Sequence, residues 1–207
     1  MLQFAALDSS TLELLIKLQK LPVFSGLRLA GGTSLALQIG HRKSVDLDLF
    51  GNLDGDEIEI NESLQNFKNV HLLKHTKNIH IYLIENIKVD FVNYPYPWIE
   101  NPLRTENLVL AGKKDIAAMK LAAITGRGTM KDFIDLFFLL NDFSLKEMIG
   151  FYNKKYFDGS EFIVLKSLTY FNDAESDEEP IMLKPMSWKK VKTKIMQAVK
   201  KYVNEAV

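Results

Sequence analysis

The stretch from Leu27 to Phe50 constrains this chain most, because a strand, a tight turn, a helix and a second strand follow one another there with almost no residues to spare. Leu27-Arg28-Leu29-Ala30 is a short strand candidate running into Gly31-Gly32, a pair able to take positive φ and to let another group approach the backbone closely. Thr33 or Ser34 can then cap a helix over Leu35 to Ile39. From Val45 to Phe50 apolar residues alternate with aspartates, the period of a strand. Val45, Leu47 and Leu49 take one face; Asp46 and Asp48 take the other.

The rest of the chain extends this into an α+β pattern. Ser9 or Ser10 can cap a helix through about Lys20, where Leu12, Leu15, Ile16 and Leu18 keep helical spacing and Pro22 stops it. Residues 56 to 67 can form another helix. Val70 to Lys74, Ile79 to Ile84 and Ile87 to Asn93 read as a meander, with Lys77-Asn78 and Glu85-Asn86 as tight hairpin turns. After Pro95, Pro97 and Pro102 the composition shifts, and helical spacing dominates from Lys114. The expected helices are Asp115 to Gly126, Thr129 to Asp142, Ser144 to about Tyr156, Ser160 to about Phe171, and a last one from Ser187. A boundary near Gly112 gives two domains, 1–112 and 113–207. Between Asn172 and Ser187 an acidic stretch with Pro180 and Pro185 reads as a solvated loop.

Composition narrows the chemistry. With 26 basic and 26 acidic residues the net charge is zero, so any site for a polyanion has to be local. There is no cysteine, which removes disulfides, thiolate zinc sites and cysteine nucleophiles together. The start, MLQFAALDSSTLELL, lacks the basic segment and cleavage site of a signal peptide, and no eighteen apolar residues run together. The expected setting is the cytoplasm, without a membrane.

Two strand residues at i and i+2 share a face, so Asp46 and Asp48 project together and repel unless a cation lies between them. Hard oxygen donors of this kind suit Mg2+ or Mn2+. A glycine turn at a helix N-terminus suits a phosphate, through amides and the helix dipole, with the Thr33 and Ser34 hydroxyls as further donors. Together these features point to phosphoryl or nucleotidyl transfer. Each alone fits a capped turn or an amphipathic edge strand equally well. Asp90 should face away from Val89 and Phe91, as a third metal ligand, a general base or the polar side of an ordinary strand. In His41-Arg42-Lys43-Ser44, Arg42 could clamp phosphate oxygens bidentately, while a basic loop in solvent is the plainer alternative.

In the helical half, Lys120 sits in an otherwise apolar run, Ile116 to Ile124, and a buried lysine requires a negative partner. A nucleotide phosphate or the Asp46/Asp48 pair would serve. Arg127 and Lys131 follow, interrupted by Gly126 and Gly128, and Asp132 and Asp135 fall on adjoining helix positions, Asp135 being the one expected to be more buried. The last helix has an apolar stripe of Trp188, Val191, Ile195, Val199 and Tyr202, with lysines on its other faces. That lysine face reads either as a dock for RNA phosphates or as a solvated surface offset by the acidic loop.

Three blocks resemble the AbiEii/AbiGii toxin family of nucleotidyltransferases, within the DNA polymerase β-like superfamily. They are Gly31-Gly32-Thr33 through Arg42 to Asp46-Leu47-Asp48, then Lys88-Val89-Asp90-Phe91, then Asp115 with Lys120, Arg127 and Lys131-Asp132-Phe133-Ile134-Asp135. The resemblance implies a minimal nucleotidyltransferase fold, a mixed sheet flanked by helices, with a helical C-terminal part that completes the active-site cleft. It implies Mg2+- or Mn2+-dependent transfer of NMP from an NTP to a hydroxyl of tRNA or protein, and a toxin role in a toxin–antitoxin or phage-defence pair with a cognate antitoxin. By position, Asp46 and Asp48 would be metal ligands, with Asp90 in the place of the third acid. Gly31, Gly32 and Thr33 would form the phosphate turn. Ser34, Arg42, Arg127 and Lys131 are further nucleotide-binding candidates read from the residues themselves. Lys120 would contact nucleotide phosphate, and Asp135, or else Asp132, would be the late acid. A kinase-like phosphoryl transferase and a non-catalytic nucleotide-sensing or partner-binding module are the alternatives.

Overall fold

The computed structural model describes residues 1–53 and 55–206; Asp54 and Val207, which fall in the expected domains 1–112 and 113–207, lie outside them. The chain divides into two compact units. One comprises Met1–Pro95 and Asn101–Ala111, the other Tyr96–Glu100 and the chain from Gly112 onward.

The first unit is built on a seven-stranded sheet of β1 (Leu27–Leu29), β2 (Leu47–Gly51), β3 (Val70–Thr76), β4 (Ile79–Ile84), β5 (Ile87–Asn93), β6 (Leu103–Arg104) and β7 (Val109–Leu110), in the order β3-β4-β5-β2-β1-β7-β6. It is mixed: β2 runs parallel to β5 and β1 to β7, and the other neighbours are antiparallel. The helices are α1 (Ser9–Gln19), α2 (Gly31–Ile39) and α3 (Glu57–Leu64). The meander forms as its alternation dictates, and Glu85 and Asn86 both take left-handed φ, 53° and 66°, as a two-residue hairpin turn of matching twist requires.

Alternation also sorts the two faces of the sheet. Leu27, Leu29, Leu47, Leu49, Tyr82, Val89 and Phe91 are buried in one cluster with Leu14, Leu15 and Leu18 of α1. Phe24 stacks on Phe91 with ring centroids 4.1 Å apart. The intervening residues Asp48, Lys88 and Asp90 therefore lie on the opposite face, half-buried.

Several local expectations are corrected. The helix α1 starts at Ser9 with Asp8 as its cap residue, so neither Ser9 nor Ser10 is the cap. The strand β2 begins at Leu47; Asp46 precedes it, and Val45 is 52% exposed instead of packing beside Leu47 and Leu49. The helix α2 begins at Gly31, so Thr33 and Ser34 lie inside its first turn and do not cap it. Strands β6 and β7 were not anticipated. Strand β7 is held by long-range partners: Leu110 pairs with Leu29, and the Gln19 side chain bonds both the amide and the carbonyl of Val109 at 3.0 and 2.8 Å, while β6 pairs with β7 as the edge strand.

The second unit contains α4 (Lys113–Gly126), α5 (Met130–Leu139), α6 (Leu145–Lys155), α7 (Glu161–Ser167) and α8 (Trp188–Ala206). A capping box between Ser144 and Glu147 starts α6. Phe133 packs against Phe171 and Trp188 at 4.9 and 6.0 Å. Val191, Ile195 and Val199 form the buried stripe of α8. Of its lysines, Lys192 bonds Glu175 of the acidic stretch at 2.5 Å and Lys194 bonds Asn141 at 2.5 Å. Among the described residues no helix is long and apolar enough to cross a membrane.

Candidate active site

The glycine turn and the acidic strand of the first unit are in direct contact. Gly31 takes φ 61°, and a Cβ there would stand 3.2 Å from Asp48 Cγ and closer still to Oδ2. The main chains are joined as well, Ala30 N donating to Asp48 O at 2.7 Å. Ala30 is the N-cap of α2 and has no side chain that could bond the first amides of the helix.

Thr33 and Ser34 are buried and their hydroxyls serve the scaffold. Thr33 Oγ1 donates to the Asp46 carbonyl and lies 2.7 Å from Ser44 Oγ. Ser34 Oγ donates to the Ala111 carbonyl at 3.2 Å and accepts from Gln38 Nε2 at 3.1 Å. What the turn offers a phosphate is consequently its main chain. Thr33 also fixes the residue just before β2, and so the approach of Asp46 to the site.

Asp48 and Asp90 are direct partners in the parallel β2–β5 register and share the face opposite the core. Asp90 is engaged by Lys88, whose Nζ lies 2.6 Å from its Oδ1. The sequence contained this signal, since Lys88 and Asp90 are two apart on one strand. Arg42 is 3% exposed and its Nη1 donates to Lys43 O at 3.0 Å and Ser44 Oγ at 3.3 Å, which builds it into its own loop. Lys43 pairs with Asp8 at 3.0 Å.

In the second unit Lys120 has found its negative partners on α5. Its Nζ lies 2.8 Å from Asp132 and 2.6 Å from Asp135, with all three side chains nearly inaccessible. The carboxylates that answer this buried ammonium are therefore those of the neighbouring helix, where the sequence suggested a phosphate or the Asp46/Asp48 pair. Asp132 also accepts from Thr129 Oγ1 at 2.7 Å and Arg127 Nε at 3.3 Å. Burial pushes its carboxyl upward, but the Lys120 ammonium and its hydrogen bond, with Arg127 and Thr129, outweigh that and hold it below its ordinary value. Asp135 is 0% and Asp132 1% exposed, both fully buried, and Arg127 and Lys131 are exposed.

A second buried pair escaped the sequence reading. Lys155 Nζ lies 2.8 Å from Asp115, both side chains fully buried, and donates to Pro97 O at 2.6 Å while standing 4.6 Å above the Trp98 ring. Asp115 in turn accepts from the amides of Ile99 and Glu100 at 2.9 and 3.2 Å. These bonds explain why residues 96–100 belong to the helical unit.

The donor set suits a hard divalent ion. Asp46 and Asp48 are carboxylates, and Mg2+ is commonly bound by one or two of these with its other positions left to water and phosphate oxygens. Among the described residues no three His, Asp or Glu side chains gather closely enough to hold an ion by themselves.

The family model described as "Nucleotidyl transferase AbiEii toxin, Type IV TA system" matches residues 13–206. An uncharacterised protein of Aquifex aeolicus is 37% identical over 201 residues, spanning 92% of this chain and 95% of that protein. The fold is similar to that of JHP933 from Helicobacter pylori, with TM-score 0.57, 17% identity and coverage of 97% and 96% of the two chains. It is also similar to MenT4, a nucleotidyltransferase toxin from Mycobacterium tuberculosis, with TM-score 0.59, 15% identity and coverage of 89% and 78%.

Proposed function

Because the chain belongs to the AbiEii nucleotidyltransferase toxin family of type IV toxin–antitoxin systems, we propose that it transfers NMP from an NTP to an acceptor hydroxyl of tRNA or protein, using Mg2+ or Mn2+ held by Asp46 and Asp48. The observation that carries this reading is the approach of the Asp48 carboxylate to Gly31 at the start of α2. A triphosphate lying against the turn meets main-chain amides and the positive end of the helix, and its bound cation meets the aspartates. The ion, when bound, stabilises charge on the phosphoryl oxygens and aligns the attacking hydroxyl. The residues of the chain bind and orient: Gly31 keeps the space open for Asp48, and Thr33 fixes Asp46. The cytoplasm, a cognate antitoxin and a role in phage defence complete the proposal.

The test is incubation of the protein with Mg2+, total tRNA or host proteome, and each NTP labelled in parallel at the α or the γ phosphorus. Label from the α position alone is expected in the acceptor. Label from the γ position alone would identify a kinase-like phosphoryl transfer and overturn the proposal.

A further inference from the structure

Asp90 stands beside Asp48 in the sheet, yet its carboxylate is committed to Lys88 at 2.6 Å. The register gives Lys88 and Asp90 the apolar partners Leu83 and Ile81 on β4, so that neighbouring strand brings no other charge to the pair. An ion pair whose lysine side chain is 42% exposed adds little to folding stability by itself. Its position has a better cause: two carboxylates on directly paired residues of adjacent strands repel, and a cation on the same face relieves this.

We propose that Lys88 is a positioning residue that acts as the resident cation of Asp90, keeping that third acid out of the metal's coordination so that the divalent ion is held by Asp46 and Asp48 alone. The inference rests on the proposed role of those two aspartates. Its consequence is a site that binds metal weakly before NTP arrives, because one carboxylate is already neutralised and a positive charge stands close by. Removing the ammonium frees Asp90 to join the ion and takes away that repulsion.

The experiment is Mn2+ binding to the full chain without nucleotide, with free ion read by electron paramagnetic resonance. Lys88→Met is expected to bind Mn2+ at least about tenfold more tightly than the parent protein, the scale of one nearby unit charge. Lys88→Gln should behave alike, Lys88→Arg should keep the parent affinity, and Lys88→Met with Asp90→Asn should return to it. Parent-like affinity in both Lys88→Met and Lys88→Gln would overturn the proposal, as would a double variant that binds as tightly as Lys88→Met. Asp48→Asn separates the two levels: if it weakens Mn2+ binding while Lys88 replacement changes nothing, only the Lys88 role fails. If it too changes nothing, the metal-ligand reading fails and takes this inference with it.

Discussion

The Asp48 carboxylate fills the space that a side chain on Gly31 would need, so the turn that opens α2 and the strand that carries the acid specify each other. Gly31 is also in left-handed backbone, where an alanine costs about 1–2 kcal/mol before any collision. Gly31→Ala should therefore lower Tm by roughly 2–8 °C and weaken Mn2+ binding together with it, because the carboxylate has to move. Thermal denaturation and metal titration of the same sample check this; unchanged metal affinity would contradict it.

Lys120 with Asp132 and Asp135 forms a buried cluster in which one ammonium holds two carboxylates. Lys120→Met leaves both acids without it and should cost about 3–5 kcal/mol in urea denaturation. Adding Asp132→Asn and Asp135→Asn to that variant should restore most of the loss, since the buried charges then disappear together. A triple variant as unstable as Lys120→Met would show that the cost lies in packing.

The same cluster sets an acid limit. The Asp132 carboxyl is held below its ordinary value of 3.8, so the folded state takes up its proton less readily than the unfolded chain. Its contribution to stability is fully present above that ordinary value and is lost as pH falls through the lower folded one. Thr129→Ala removes one of the bonds that lower it. The variant should lose about 1 kcal/mol at neutral pH, and its acid unfolding midpoint, followed by circular dichroism, should move to higher pH.

Lys155 and Asp115 anchor residues 96–100 through Pro97, Ile99 and Glu100. Asp115→Ala removes the carboxylate partner of the buried Lys155 and the acceptors of both amides. It should destabilise the protein by about 3–5 kcal/mol and speed hydrogen exchange at the Ile99 and Glu100 amides beyond that of the α5 core. Equal acceleration everywhere would point to global loosening and against a local anchor.

How much was legible in the sequence followed how local each signal was. The meander was readable because alternation and two-residue turns are encoded within a few positions, and Glu85-Asn86 behaves as such a turn should. Strands β6 and β7 were hidden, being two residues each, with β7 defined by Leu29 and Gln19 far away in the chain and β6 only by its pairing with β7. The acids and Lys120 could be picked out as costly residues, but their partners could not. Only the packing of α4 against α5 brings Asp132 and Asp135 to Lys120, and partners distant in the chain, the Asp46 and Ala111 carbonyls, draw the Thr33 and Ser34 hydroxyls inward. Lys88 was the missed opportunity, since a lysine two residues before an acid on a strand is a same-face pair by period alone.

The most direct measurement is the rate of pyrophosphate release from NTP coupled to NMP appearing on the acceptor, for the parent chain and for Asp48→Asn at matched folded fraction. Equal amounts of pyrophosphate and incorporated NMP are expected from the parent, with a rate lowered by about 10^2–10^3 or more in Asp48→Asn. Transfer at the parent rate by the folded Asp48→Asn protein would contradict the role assigned to this carboxylate.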